Sequence, residues 1–145
     1  MNENYDILLV EDNPADAELA IRALRKSHIA NSLLHLEDGE AVLDYVFCTG
    51  QYSERKISDI PKLILLDLKM PRVSGLEVLQ QIKSDERTKK IPVVLLTSSK
   101  EESDISNGYK AGVNSYIVKP VEFESFVKAV SETGLYWLIL NQPPQ

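Results

Sequence analysis

The chain has 145 residues, 43% of them hydrophobic and 26% charged, which is the composition of one soluble globular domain and not of a disordered or membrane-embedded chain. With 16 basic and 22 acidic residues the formal net charge is -6, which argues against a nucleic-acid binder built on a basic patch. Cys48 is the only cysteine, so neither an intrachain disulfide nor a thiolate zinc site is available. The polar stretch Met1 to Tyr5 leads straight into an apolar run, unlike a signal peptide, and no apolar run approaches the ~20 residues that span a bilayer. A cytoplasmic protein is expected.

Asp6 to Val10 is a short apolar run and predicts a first strand, followed by Glu11-Asp12-Asn13-Pro14. Asn13 suits a helix N-cap and Pro14 the first helical position, where a missing N–H costs nothing. Ala17, Ala20, Ile21 and Leu24 then recur at helical spacing, and this first helix ends near Ser27-His28. Ser32 to Leu36 is a second strand, shorter and more polar, and belongs nearer a sheet edge. After the turn Glu37-Asp38-Gly39, Val42, Tyr45 and Val46 mark a second helix. The polar stretch Cys48 to Pro61 is a long connection for a compact domain, where ~4–6 residues is usual. It reads as a solvated loop, part of which could extend the second helix.

Leu63-Ile64-Leu65-Leu66-Asp67 is a run of aliphatic residues ending in a carboxylate, with Pro71 beyond it. Such a run predicts a strand buried on both faces. Ser74-Gly75 opens a third helix carrying Leu76, Leu79 and Ile82, and Asp85 to Lys90 is its charged exit. Ile91 to Leu96 is a fourth strand ending at Thr97-Ser98-Ser99. A fourth helix, 103–111, holds few large apolar residues and should be weakly anchored. Ser115 to Val118 is a fifth strand ending at Lys119-Pro120, and Phe123, Phe126, Val127 and Val130 give a fifth helix its apolar stripe. Strict β/α alternation of this kind implies an α/β fold: a doubly wound five-stranded parallel sheet with right-handed crossovers and helices on both faces. Periodicity leaves the strand order open.

In a parallel sheet the carboxyl ends of all strands share one edge, and ligand sites form in the crevice there. Glu11, Asp12, Asp67, Thr97 and Lys119 each follow or end a predicted strand, so three carboxylates, a hydroxyl and an ammonium converge. Each has a plain alternative as a turn, cap or solvated residue; their coincidence is what carries chemistry. Carboxylates ~4 Å apart repel by about 4 kcal/mol per pair at an effective dielectric near 20, so either one is protonated or a cation neutralises them. An oxygen-only set with open positions suits Mg2+. A carboxylate beside such a cation can attack phosphorus to give an aspartyl phosphate, with the cation, Lys119 and Thr97 meeting the transferred oxygens. No nucleotide-binding glycine motif occurs, so the donor is expected to be another phosphoprotein or a small phosphodonor.

Glu11-Asp12, the Leu65-Leu66-Asp67-Leu68-Lys69-Met70-Pro71 block, Ser74-Gly75, Thr97-Ser98, Ala111-Gly112-Val113, Tyr116 and Lys119-Pro120 together resemble the receiver domain of two-component response regulators. The resemblance covers residues 5–133 and leaves 134–145 as a C-terminal extension. It implies a flavodoxin-like sheet of order 2-1-3-4-5, with Asp67 accepting phosphate from a histidine kinase in a phosphorelay. It implies Mg2+ held by Asp12, Asp67 and the backbone carbonyl of Lys69, with Glu11 helping through water. Thr97 would be the switch hydroxyl, Tyr116 the switch aromatic and Lys119 the phosphate-binding lysine. The Lys119–Pro120 peptide is often cis in the family. Such a receiver is a phosphoacceptor that assists its own phosphorylation and dephosphorylation, not an enzyme in the ordinary sense.

The long 48–61 segment and the run Gly134 to Leu140 exceed a minimal receiver and resemble the stand-alone receivers paired with bacterial phytochrome histidine kinases. Few residues follow Leu140, so no DNA-binding output domain is expected, and output would pass through protein contacts. The apolar residues Leu135 to Leu140, with Tyr136 and Trp137, either extend the fifth helix onto its own core or form a homodimer seam, as the Tyr116 face could. Lys69 is a bulky cation beside the expected metal, and its direction bears on phosphate lifetime. A haloacid-dehalogenase-type phosphatase also uses a strand-end aspartate but wants an acid two residues on, where Lys69 stands. A degenerate receiver that binds a partner without phosphate is the other alternative, and the complete acidic set opposes it.

Overall fold

In the computed structural model, which describes residues 4–26, 32–70, 72–97, 112–113, 115–119 and 121–132, the apolar runs become five parallel strands. These are β1 (Ile7–Val10), β2 (Leu33–Leu36), β3 (Leu63–Asp67), β4 (Val93–Thr97) and β5 (Ser115–Val118). The helices are α1 (Pro14–Lys26), α2 (Gly39–Phe47), α3 (Gly75–Ser84) and α4 (Phe123–Glu132), the last being the fifth helix of the sequence reading. The expected fourth helix, 103–111, Pro120 with its peptide bond, and the run 134–140 lie outside the described residues.

The strand order is β2-β1-β3-β4-β5, as the receiver resemblance implies. β1, β3 and β4 are buried along their whole length because helices cover both faces. β2 and β5 are the two edges and are only partly buried. One core lies between the sheet and α1 with α4, built from Leu9, Leu65, Leu96, Ile117, Leu24 and Phe126. The small residues Ala17, Ala20 and Ala23 give α1 its buried stripe there. The other core lies under α2 and α3 and holds Val10, Leu66, Leu95, Tyr45, Leu79 and Ile82. The chain passes from β1 to β2 on one side and then to β3 on the other, so the order reverses between β1 and β3. A crevice at their carboxyl ends is the consequence.

Three local expectations shift. The fourth strand starts at Val93, because Pro92 has no N–H for the ladder and Ile91 donates instead to the Thr88 carbonyl at 3.0 Å, closing the turn after α3. On α3, Val78 is fully buried, whereas Leu76 packs only at the rim of its core. The third concerns residues 48–61, which are mostly exposed, as expected of a solvated loop, but are held by an ordered anchor. Cys48 ends α2 in the left-handed region (φ 59) and a 3-10 turn follows at Gly50–Tyr52. Arg55 is 7% exposed, with its guanidinium stacked 3.7 Å from the Tyr45 ring centroid. Its Nη1 donates to the Tyr45 carbonyl and to Cys48 Sγ (3.3 Å), its Nη2 to the Asp59 carbonyl (2.6 Å), and its Nε to Asn4 Oδ1 (3.1 Å). One planar donor fork thus joins Tyr52, whose ring meets Tyr45 edge-on at 5.0 Å, in anchoring an otherwise polar loop.

Candidate functional site

Glu11 directly follows β1, Asp67 ends β3 and Lys119 follows β5, so the sheet itself sets their positions. Strand alternation also puts them in one row. Leu9, Leu65 and Ile117, each two residues earlier, belong to the α1/α4 core. Lys119 Nζ lies 2.9 Å from Glu11 Oε1 and 3.4 Å from Asp67 Oδ1. Asp12 is exposed at the mouth, and oxygens of Glu11, Asp12 and Asp67 all lie within 4.8 Å of one another. Oxygens bound to a small octahedral cation at ~2.1 Å are separated by roughly 3–4 Å. A modest closing of this set therefore fits a divalent ion, and its donors are all hard oxygens, as such an ion requires.

Burial governs the electrostatics. Asp67 is 3% exposed, and burial, followed by the hydrogen bond and charge of neighbouring Glu11, pushes its carboxyl up to about 7. Lys119 and the Lys69 N–H, which donates to Asp67 Oδ1 at 3.3 Å, oppose this without cancelling it. Burial and the crowding by Glu11 thus favour the neutral form of Asp67 relative to a free carboxyl. Burial alone would lower the Lys119 ammonium, but the hydrogen bond to Glu11, the charges of Asp67 and Glu11, and the bond to Asp16 push it up to about 12. Lys119 is a fixed cation.

Thr97 is buried at the end of β4, and its carbonyl accepts from the Lys119 N–H at 2.7 Å. Its side chain falls in the opposite row: Leu95, two residues earlier, belongs to the α2/α3 core. Tyr116 pairs with Leu95 across β4 and β5 and packs half-buried against that same core. The hydroxyl and the aromatic ring thus share one side of the sheet, while Glu11, Asp67 and Lys119 occupy the other. Lys69 is exposed and meets the site through its backbone.

Two participants escaped the sequence reading. Asp16, in the first turn of α1, places Oδ2 3.2 Å from Lys119 Nζ. It occupies the third helical position after Asn13, where an acid ordinarily serves the helix cap; only the fold brings Lys119 there. His35 on β2 contacts the Glu11 carbonyl through Nε2 at 2.8 Å, a neighbour set by strand pairing alone.

Comparison with known families matches residues 7–131 to the response regulator receiver domain. The probable methanogenesis regulatory protein FilR2 of Methanothrix harundinacea is 44% identical over 140 residues, which is 97% of this chain and 88% of that protein. The response regulator Rcp1 of Synechocystis is 40% identical over 91% of this chain and 88% of its own. A crystal structure of Rcp1 in a Mn(2+)-bound form superposes with a TM-score of 0.75 at 36% identity, covering 98% of both chains. The bacteriophytochrome response regulator RtBRR superposes with a TM-score of 0.85 at 48% identity over 98% of this chain and 85% of its own. With that match spanning both cores and every residue of the strand-end cluster, the chain belongs to the response regulator receiver family and acts in two-component signalling.

Proposed function

We propose that Asp67 is the phosphoacceptor, and that its donor is a phosphohistidine on a histidine kinase. The observation that carries this is the row of Glu11, Asp67 and Lys119 at one sheet edge, with an ammonium 3.4 Å from the acceptor oxygen. In the reaction an Asp67 oxygen attacks phosphorus, the phosphorus–nitrogen bond breaks, and the imidazole nitrogen leaves with the electron pair. Asp12, Asp67, the Lys69 carbonyl and Glu11 through water would hold Mg2+, which supplies charge neutralisation at the phosphoryl oxygens. Lys119 meets the same charge from the other side. Thr97 donates its hydroxyl to a phosphoryl oxygen, and Tyr116, on the same side of the sheet, fills the space that Thr97 leaves. The protein is then a carrier of signal, with one acceptor per chain, and not a turnover enzyme. Since phosphohistidine is made from ATP, the cytoplasm is its place of work.

Similarity to the bacteriophytochrome response regulator RtBRR favours a bacterial phytochrome kinase as the donor. The comparable similarity to FilR2 favours a second reading, in which a kinase of another input uses the same receiver. Phosphotransfer from each purified kinase separates the two. The acceptor itself is tested with acetyl phosphate and Mg2+: wild type gains one phosphoryl group by mass spectrometry, and Asp67→Asn gains none. Wild-type incorporation in Asp67→Asn would overturn the assignment.

A further inference from the structure

Lys119 Nζ has three N–H bonds, and three carboxylates surround it: Glu11 Oε1 at 2.9 Å, Asp16 Oδ2 at 3.2 Å and Asp67 Oδ1 at 3.4 Å. The contacts to Glu11 and Asp16 are hydrogen bonds and that to Asp67 is an ion pair, so two of the three N–H bonds are engaged before any phosphoryl group arrives. Glu11 and Asp67 belong to the oxygen cluster that suits a divalent cation, so a bound cation offsets their charge. Asp16 lies outside that cluster, and its charge has Lys119 as its partner. Its backbone is fixed as well, because the Asp16 N–H donates to the capping oxygen of Asn13 at 3.0 Å. Asp16 is thus an anion set on a capped helix turn, hydrogen-bonded to Lys119 from the α1 side, where it would repel any dianion on Asp67.

We propose that Asp16 is a tether for Lys119 in the unphosphorylated protein, a positioning residue that competes with the phosphoryl group for the ammonium and so sets how readily the phosphorylated form is populated. This rests on the reading of Asp67 as the acceptor. Asp16 makes no contact with the acceptor carboxylate itself; it acts through Lys119. It is one-third exposed, so the pair is partly screened by solvent. Removing the charge should then tighten binding of a phosphoryl group by about three- to fivefold, the scale of a partly exposed ion pair.

Beryllofluoride with Mg2+, a phosphoryl mimic, tests this without a kinase. Affinity is measured by calorimetry on wild type, Asp67→Asn, Asp16→Asn and Asp16→Glu. The expected result is no binding by Asp67→Asn, severalfold tighter binding by Asp16→Asn, and an affinity for Asp16→Glu nearer wild type. Equal or weaker binding by Asp16→Asn, loss of its cooperative unfolding, or an Asp16→Glu affinity matching that of Asp16→Asn would each overturn the tether. No binding by wild type, or undiminished binding by Asp67→Asn, would overturn the acceptor reading and the tether with it.

Discussion

At the scale of the residue, Asp67 shows how a strand end changes the proton affinity of an ordinary carboxylate. Its carboxyl is pushed up to about 7 from the usual 3.8 by burial and by Glu11. The linkage sign follows from which state binds the proton more tightly. Below pH 4 Asp67 is protonated in both folded and unfolded chains, and the fold keeps its full stability. As pH rises to about 7 the unfolded chain ionises first, so folding stability falls, and it levels off once the folded carboxyl has also ionised. A neutral side chain escapes this loss. With chelator present, Asp67→Asn should be more stable than wild type at pH 8, by at most about 4 kcal/mol at ~1.4 kcal/mol per pKa unit, and the gap should vanish towards pH 4. Urea midpoints across that range check it; a gap that is constant with pH would mean that burial of the charge is not the cause. Asp67 was legible in the sequence because it closes an aliphatic run. Its proton was not, because Glu11 is 56 positions away in the chain and becomes a neighbour only through the pairing of β1 with β3.

At the scale of the element, the strands and most helices follow from local pattern. Buried aliphatic runs make β1, β3 and β4, and helical spacing of apolar residues makes α1 to α4. The helix starts are equally local. Asp38 accepts from the Ala41 N–H at 2.8 Å and Ser74 from the Glu77 N–H at 3.3 Å, so each helix carries its own stop for the preceding turn. Gly75 shows the limit of local reading. A Cβ at that position would overlap the Asp67 carbonyl oxygen and lie 2.8 Å from Leu68 Cα, so α3 begins where only a glycine lets it approach the end of β3. The segment 48–61 shows the limit more clearly, because it is mostly exposed, as its composition implies, yet its anchor could not be read. Its composition is that of a solvated loop, and its structure depends on Arg55, whose partners come from α2, from the loop itself and from Asn4. Truncation by Arg55→Ala removes the cation over Tyr45 and the guanidinium bonds to the Tyr45 and Asp59 carbonyls, leaving the Tyr45 carbonyl with the long Cys48 N–H contact at 3.4 Å. It should cost roughly 2–4 kcal/mol, read as a lower urea midpoint at unchanged slope. A change below about 0.5 kcal/mol, the range of an ordinary surface substitution, would show that the loop holds without its arginine.

At the scale of the whole molecule, the site exists because a parallel sheet collects the ends of strands that are far apart in sequence. Glu11, Asp67 and Lys119 meet across β1, β3 and the β5 end, at the point where the strand order reverses. The acids repel until something neutralises them, so a divalent cation should stabilise the folded chain and not its unfolded form. At one hundred times its dissociation constant, Mg2+ should raise stability by about 2.7 kcal/mol, seen as a rise in melting temperature that Asp67→Asn diminishes. An equal rise in the variant would place the ion elsewhere. Among the described residues no helix is long and apolar enough to cross a membrane.

What the sequence determined by itself is whatever depends on short range: five strands, their helices, the caps, and a set of chemically distinctive residues at strand ends. From the parallel alternation alone it followed that Glu11, Asp12, Asp67, Thr97 and Lys119 share an edge, since strand direction needs no knowledge of order. The tertiary structure decided which of them touch, and on which side of the sheet. It placed Glu11, Asp67 and Lys119 in one row and Thr97 with Tyr116 in the other, brought Asp16 and His35 to the site, and anchored the 48–61 loop on Arg55. The physical reason is common to all of these. Hydrophobic periodicity reports which face of an element is buried, but it is blind to the partner that a polar side chain meets, because that partner is chosen by strand register and helix packing across distant parts of the chain.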